Sequence, residues 1–196
     1  YLQQLPNTNI KGAIIMGSAF ASREYHVGKW LAWLPLKIFG EKNVRRFEKL
    51  LYKHFRFNFI IKYAHILLSR DKIALQKYKE DPYCQRIFSI KFYYELLSFM
   101  IDVFKTENMQ KINPQTPIFI VSGKHDLIGG KSKKIKKLYR AYVDMQFTDV
   151  SMKLYEASLH EIIHDKEKDT VYADIKQWLN SRIPLLLEGV DAERTG

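Results

Sequence analysis

The sequence predicts an α/β fold, a parallel sheet flanked by helices and interrupted by a long helical insertion. Three observations predict it. Short apolar runs of strand length stand at residues 12–17, 118–121 and 152–155. Amphipathic helical periods alternate with the last two of them. From Ser22 to about Phe104 strand signals vanish and only helical periods remain. Strands alternating with helices favour a parallel sheet covered on both faces.

The elements follow in order. Residues 1–5 read as the end of a helix, closed by Pro6-Asn7-Thr8-Asn9. The run Gly12-Ala13-Ile14-Ile15-Met16-Gly17 is apolar on both faces, as a covered parallel strand should be. Val44, Phe47 and Leu51 mark one helix of the insertion, and Tyr93, Leu96, Leu97, Met100 and Phe104 another. Ser69-Arg70-Asp71 opens a helix with capping residues, and Asp81-Pro82 ends it. About 80 residues of helix exceed a plain crossover, so residues 22–104 are expected to form a helical cap over the sheet. Residues 1–21 and 105–183 are then the core, and 184–196 a tail.

After the insertion, Ile118, Phe119, Ile120 and Val121 form a strand. A helix follows from Lys131, with Ile135, Leu138, Tyr139 and Tyr142 on one face. Met152, Leu154 and Tyr155 lie in a strand whose Lys153 suits a sheet edge. Val171, Ile175, Trp178 and Leu179 give the last helix its apolar stripe, and Arg182-Ile183-Pro184 stops it.

Composition narrows the function. The chain has 196 residues, 46% of them hydrophobic, enough for one domain with a sizeable core. No apolar run reaches the roughly 18–20 residues a transmembrane helix needs; Lys62, His65 and Asp102 interrupt the best stretches. The single cysteine, Cys84, excludes an internal disulfide framework, suits a cytoplasmic location and is expected to be buried. Net charge is +11, with the densest basic patch at Lys133, Lys134, Lys136 and Lys137. Such a balance can serve nucleic acid or anionic lipid. The basic residues are otherwise spread along the chain, so a solvated helix face is expected and no nucleic-acid partner.

Two residues carry the chemistry. Asp126 follows one strand, in Gly123-Lys124-His125-Asp126, and His160 follows another, in Ala157-Ser158-Leu159-His160. Functional groups of parallel sheets gather at the carboxyl ends of strands. An acid and a histidine so placed are two thirds of a Ser-His-Asp device. The third part is missing: no Gly-x-Ser-x-Gly occurs. Ser18, in Gly17-Ser18-Ala19, lacks the second glycine.

These phrases together resemble the alpha/beta-hydrolase fold, in the branch of serine aminopeptidases, monoacylglycerol lipases and lysophospholipases. The matching residues are 117–126 (PIFIVSGKHD), 154–161 (LYEASLHE), Ser69-Arg70-Asp71, Asp81-Pro82 and the closing helix at 171–179. The order in that family is serine, acid, histidine, which Asp126 before His160 obeys. The resemblance implies that His160 is the general base and Asp126 its orienting acid, with no metal or organic cofactor. It implies a small-molecule or lipid-like ester as substrate, chosen by the cap. The cluster Trp30, Leu31, Trp33, Leu34, Leu36, Ile38 and Phe39 is expected to line an acyl pocket or to pack the cap on the sheet. It also implies that the chain is the C-terminal part of the fold. The sequence opens at Tyr1, its first methionine is Met16, and nucleophile and oxyanion donors precede it in the family. Such a chain is expected to be inactive alone, with an open apolar edge on its first strand.

Two other classes stay open. His160-Glu161-Ile162-Ile163-His164 spells the zinc-peptidase pattern His-Glu-x-x-His, with Glu188 as a conceivable third ligand. A basic binding domain working through the 133–137 lysines is the other. Oligomeric state is not legible.

Overall fold

A computed structural model describes residues 1–6, 9–20, 22–54, 67–84 and 88–182, apart from the side chains of residues 42 and 47–54. Three parallel strands form one sheet in the order β1 (Ala13–Met16), β2 (Ile118–Gly123), β3 (Val150–Tyr155). The helices are α1 (Arg23–His54), α2 (Lys72–Glu80), α3 (Ile90–Val103), α4 (Thr106–Met109), α5 (Lys133–Asp144) and α6 (Lys168–Asn180). Single 3₁₀ turns occupy Leu2–Gln4 and Ile162–His164.

The predicted α/β architecture is the observed one. All six residues of β2 are buried, because both of its edges are paired and both of its faces are covered. Ile118 and Ile120 pack on one face with Ile135, Leu138 and Tyr142 of α5. Phe119 and Val121 pack on the other with Val171 and Trp178 of α6. The two-residue strand period sends alternate side chains into two separate cores. The Phe119 and Trp178 rings stack at 5.8 Å between centroids. Burying one such branched or aromatic side chain contributes roughly 1.5–3 kcal/mol.

The first strand is less enclosed. Residues Ala13, Ile14 and Ile15 are half-buried and Met16 is exposed. Among the described residues, β1 pairs only with β2, which leaves its other edge unpaired. The turn after α6 is tied back to the start of β3 by Arg182. Its guanidinium makes two hydrogen bonds to the Asp149 carboxylate, at 2.8 and 2.7 Å, and lies over the Trp178 ring.

Between β1 and β2 the described residues carry helices α1, α2, α3 and α4 and no strand. Asp71 caps α2, accepting from the amides of Ile73 and Ala74, and Ser89 caps α3, accepting from Phe92. A side-chain cap of this kind contributes about 1 kcal/mol. The long α1 breaks at Gly40, whose φ of 68° and ψ of 163° leave the helical region. Helices α1 and α3 pack against each other.

Four sequence expectations need correction. Helix α5 starts at Lys133 rather than Lys131, because Lys131 and Ser132 have positive φ and form the preceding turn. Leu179 is exposed, at the outer margin of the α6 stripe. Cys84 is only half-buried. The aromatic cluster of α1 is open rather than packed on the sheet: Trp30, Leu31 and Ile38 are 54%, 57% and 64% exposed. Its helix meets α3 where Gly28 faces Leu97. Lys62, His65, Glu188, Ile183-Pro184 and the 184–196 tail lie outside the described residues. So do the side chains of Phe47 and Leu51. Among the described residues, no helix is long and apolar enough to cross a membrane.

Candidate active site

The sheet register sets the site. Gly123 of β2 stands opposite Tyr155 of β3, so both strands end level. The chain leaves β2 through Lys124 and His125 to Asp126, and leaves β3 through Glu156 to His160. Two loops emerging side by side from parallel strands bring together residues 34 apart in sequence.

The Asp126 side chain is fully buried. Its Oδ1 accepts from the amide of Ile128 at 2.8 Å, and its Oδ2 lies 3.0 Å from Nδ1 of His160. A carboxylate only accepts, so the neutral ring that satisfies this contact carries its proton on Nδ1 and leaves Nε2 free to take one. The hydrogen bond to Asp126 raises the His160 pKa above its ordinary value; burial opposes the rise without cancelling it. The His160 side chain is 21% exposed, so reactant can reach the ring while most of it is held by protein.

Two glycines, not singled out by sequence reasoning, make room for this arrangement. A Cβ on Gly123 would overlap the backbone carbonyls of Ser158 and Leu159, because the histidine loop crosses directly over the end of β2. At Gly17, just past β1, φ is +52° and a Cβ would lie 2.8 Å from the His160 carbonyl oxygen. That position also lies 3.3 Å from the ring atoms Cε1 and Nδ1. Glycine at the carboxyl end of a predicted strand is the sequence signal that could have flagged both.

Other candidates are placed less favourably. His125 is exposed. Ser18 is half-buried and makes no hydrogen bond to His160 among the described residues. The zinc-peptidase pattern requires its histidines one helical turn apart on a common face. His160 and Glu161 instead lie in a loop, Ile162–His164 is a single 3₁₀ turn, and His164 is exposed. Among the described residues, no cluster of three or more His, Cys, Asp or Glu side chains has the spacing of a metal site. The lysine patch on α5 is a helix face over a buried apolar stripe. Lys134 is already engaged, 3.9 Å from Glu24 and over the Tyr25 ring. A cavity of about 450 Å³ opens between α2 and the histidine loop, lined by Leu68, Ser69, Tyr78, Glu161 and His164 among others. Neither Asp126 nor His160 lines it.

Comparison with known proteins agrees with this architecture. Residues 1–167 match the family described as serine aminopeptidase, S33. No curated protein matches the sequence. Among solved structures, a thermostable carboxyl esterase from Bacillus coagulans, crystallised with glycerol, superposes with a TM-score of 0.71 at 19% identity. That match covers 92% of this chain and 60% of the esterase. A monoacylglycerol lipase from Paleococcus ferrophilus superposes with a TM-score of 0.58 at 18% identity, covering 93% of this chain and 63% of the lipase. A monoglyceride lipase from Saccharomyces cerevisiae, solved with a substrate analogue, gives 0.59 at 19% identity, covering 88% and 56%. At such identities the likeness is one of fold. The chain spans about three fifths of the length of these proteins.

Proposed function

The chain belongs to the serine aminopeptidase family of alpha/beta hydrolases, and from that premise we propose that Asp126 and His160 are the acid and the general base of a serine hydrolase. The observation that carries this reading is the 3.0 Å contact between Nδ1 of His160 and the fully buried Asp126 carboxylate. In the proposed mechanism, Nε2 of His160 removes the proton of a serine hydroxyl as the oxygen attacks the ester carbonyl. The imidazolium then protonates the departing alkoxide, leaving an acyl-enzyme, and a water activated by the same nitrogen hydrolyses it. Asp126 fixes the ring and stabilises the imidazolium between the two transfers.

The nucleophile in this reading lies outside these 196 residues. The sequence holds no Gly-x-Ser-x-Gly, and the chain spans only about three fifths of its solved structural relatives. The core comprises 1–21 and 105–183, and 22–104 is the cap. The substrate class is a carboxylic ester, an acylglycerol or a lysophospholipid, favoured by the esterase and lipase fold relatives. A single cysteine suits work in the reducing cytoplasm.

The test uses p-nitrophenyl acyl esters and a fluorophosphonate label. The protein that joins this chain to its upstream coding sequence should hydrolyse the esters and take the label. His160→Ala should abolish both, and the 196-residue chain alone should show neither. Full turnover by His160→Ala would refute the assignment, and labelling of the isolated chain at Ser18 would refute the absent nucleophile.

A further inference from the structure

The loop that carries His160 is held by two carboxylates with no part in the proton transfers above. Glu167 Oε2 accepts from the amide of Ala157 and the hydroxyl of Ser158, both at 2.8 Å, and fixes the start of the loop. Asp165 fixes its middle. The Asp165 side chain is fully buried and forms no ion pair among the described residues. Its Oδ2 accepts from the amide of Leu159, the residue before His160, at 2.7 Å. Its Oδ1 accepts from the amides of Lys166 and Arg70, both at 2.8 Å.

The bond to Arg70 leaves the loop altogether. Arg70 lies in the segment that leads into α2, 95 residues away in sequence. Two more bonds join the same segments: the Ser69 hydroxyl donates to the His164 carbonyl at 2.9 Å, and the Glu161 amide donates to the Leu68 carbonyl at 2.8 Å. A buried carboxylate is costly unless its oxygens are satisfied, and here backbone amides satisfy them. The carboxylate sits where one oxygen grips the residue beside the histidine and the other grips the insertion.

We infer that Asp165 is a positioning residue that couples the entry to α2 with the general base, setting the His160 ring against Asp126 from behind. The inference rests on the proposed base-and-acid roles of His160 and Asp126. A displacement of the 68–71 segment is transmitted through Asp165 to Leu159, and so to the ring. This also accounts for the Ser69-Arg70-Asp71 phrase: Ser69 reaches the histidine loop, the Arg70 amide meets Asp165, and Asp71 caps α2.

Asp165→Asn keeps the size of the side chain but replaces one acceptor with a donor. The groups facing the His160 ring are Asp126 and, at longer range, Glu161. In the 196-residue chain, hydrogen exchange should quicken roughly tenfold or more at the Leu159 or Arg70 amide, the loss expected for one charge-assisted bond. Ring NMR should show the His160 titration moving down toward the ordinary histidine range. A purely structural staple would speed exchange and leave the His160 titration where it was; that result overturns the inference. Should Asp165→Asn fail to fold, Ser69→Ala decides: a smaller shift in the same direction supports the coupling, and none refutes it. Asp126→Asn separates the two levels. If it leaves His160 unmoved, the acid-and-base reading fails; if it moves His160 while Asp165→Asn does not, only the coupling fails.

Discussion

Replacing Gly123 by alanine tests the geometry of the site with a single methyl group. The histidine loop crosses the end of β2 so closely that the added Cβ would overlap two backbone carbonyls, those of Ser158 and Leu159. A side chain in that position could rotate aside, but backbone cannot. The loop is tethered on both flanks, at Ala157 by Glu167 and at Leu159 by Asp165, so relief must stretch these bonds or part β2 from β3. Overpacking of this kind costs about 1–3 kcal/mol. For a chain of this size each kcal/mol lowers the melting temperature by roughly 2–4 °C, so the fall should be roughly 2–12 °C. His160 follows Leu159 directly, so its contact with Asp126 should lengthen and ester turnover by the complete enzyme should fall further than stability does. Circular dichroism melting and p-nitrophenyl ester hydrolysis read the two effects. Gly28→Ala is the control: it lies inside α1, its Cβ would meet only the flexible end of Leu97, and alanine gains up to about 1 kcal/mol of helix propensity. If Gly123→Ala melts and turns over like the parent, the close crossing described above is wrong.

With Asp126 in the proposed role, Asp126→Asn should lower kcat of the complete enzyme by about 10⁴, the loss known for the acid of a serine-protease triad, with KM little changed. Because hydrogen bonding to Asp126 raises the His160 pKa, the acid limb of the pH–rate profile should lie above 6.5 and return toward it in Asp126→Asn. The same shift has a stability sign: a raised folded-state pKa contributes stability fully below about pH 6.5, lost as pH climbs through the raised value, which pH-dependent urea titration would detect. Ile120→Ala, in a fully buried position of the central strand, should cost roughly 2–5 kcal/mol by denaturant unfolding. Asp71→Ala should cost about 0.5–2 kcal/mol by removing the α2 cap.

The legible part of this protein was local. Strand runs at 118–121 and 152–155, the Ile135-Leu138-Tyr142 stripe and the Asp71 cap all follow from side-chain periodicity and hydrogen-bonding capacity over a few residues. Parallel pairing then makes the carboxyl ends of strands the place to look, which is how Asp126 and His160 could be named together from the chain alone. Pattern failed where neighbours from other segments decide. The open Trp30 cluster could be read as packing on the sheet or as lining an acyl pocket, because apolar composition does not say which face of a helix will find a partner. The His160-Glu161-x-x-His164 spacing suggested metal ligation, but spacing means nothing until the backbone is helical, and here it is not.

The sequence by itself determined the order of strands and helices along the chain, the acid and the histidine at strand ends and the membership in a hydrolase family. Only the tertiary structure decided that β2 and β3 end level, that the histidine loop therefore crosses Gly123, and that Asp165 joins this loop to a segment 95 residues away. The reason is physical: helix and strand periods are set by bonds along the chain, whereas contact between distant loops depends on sheet register and on room for backbone to pass.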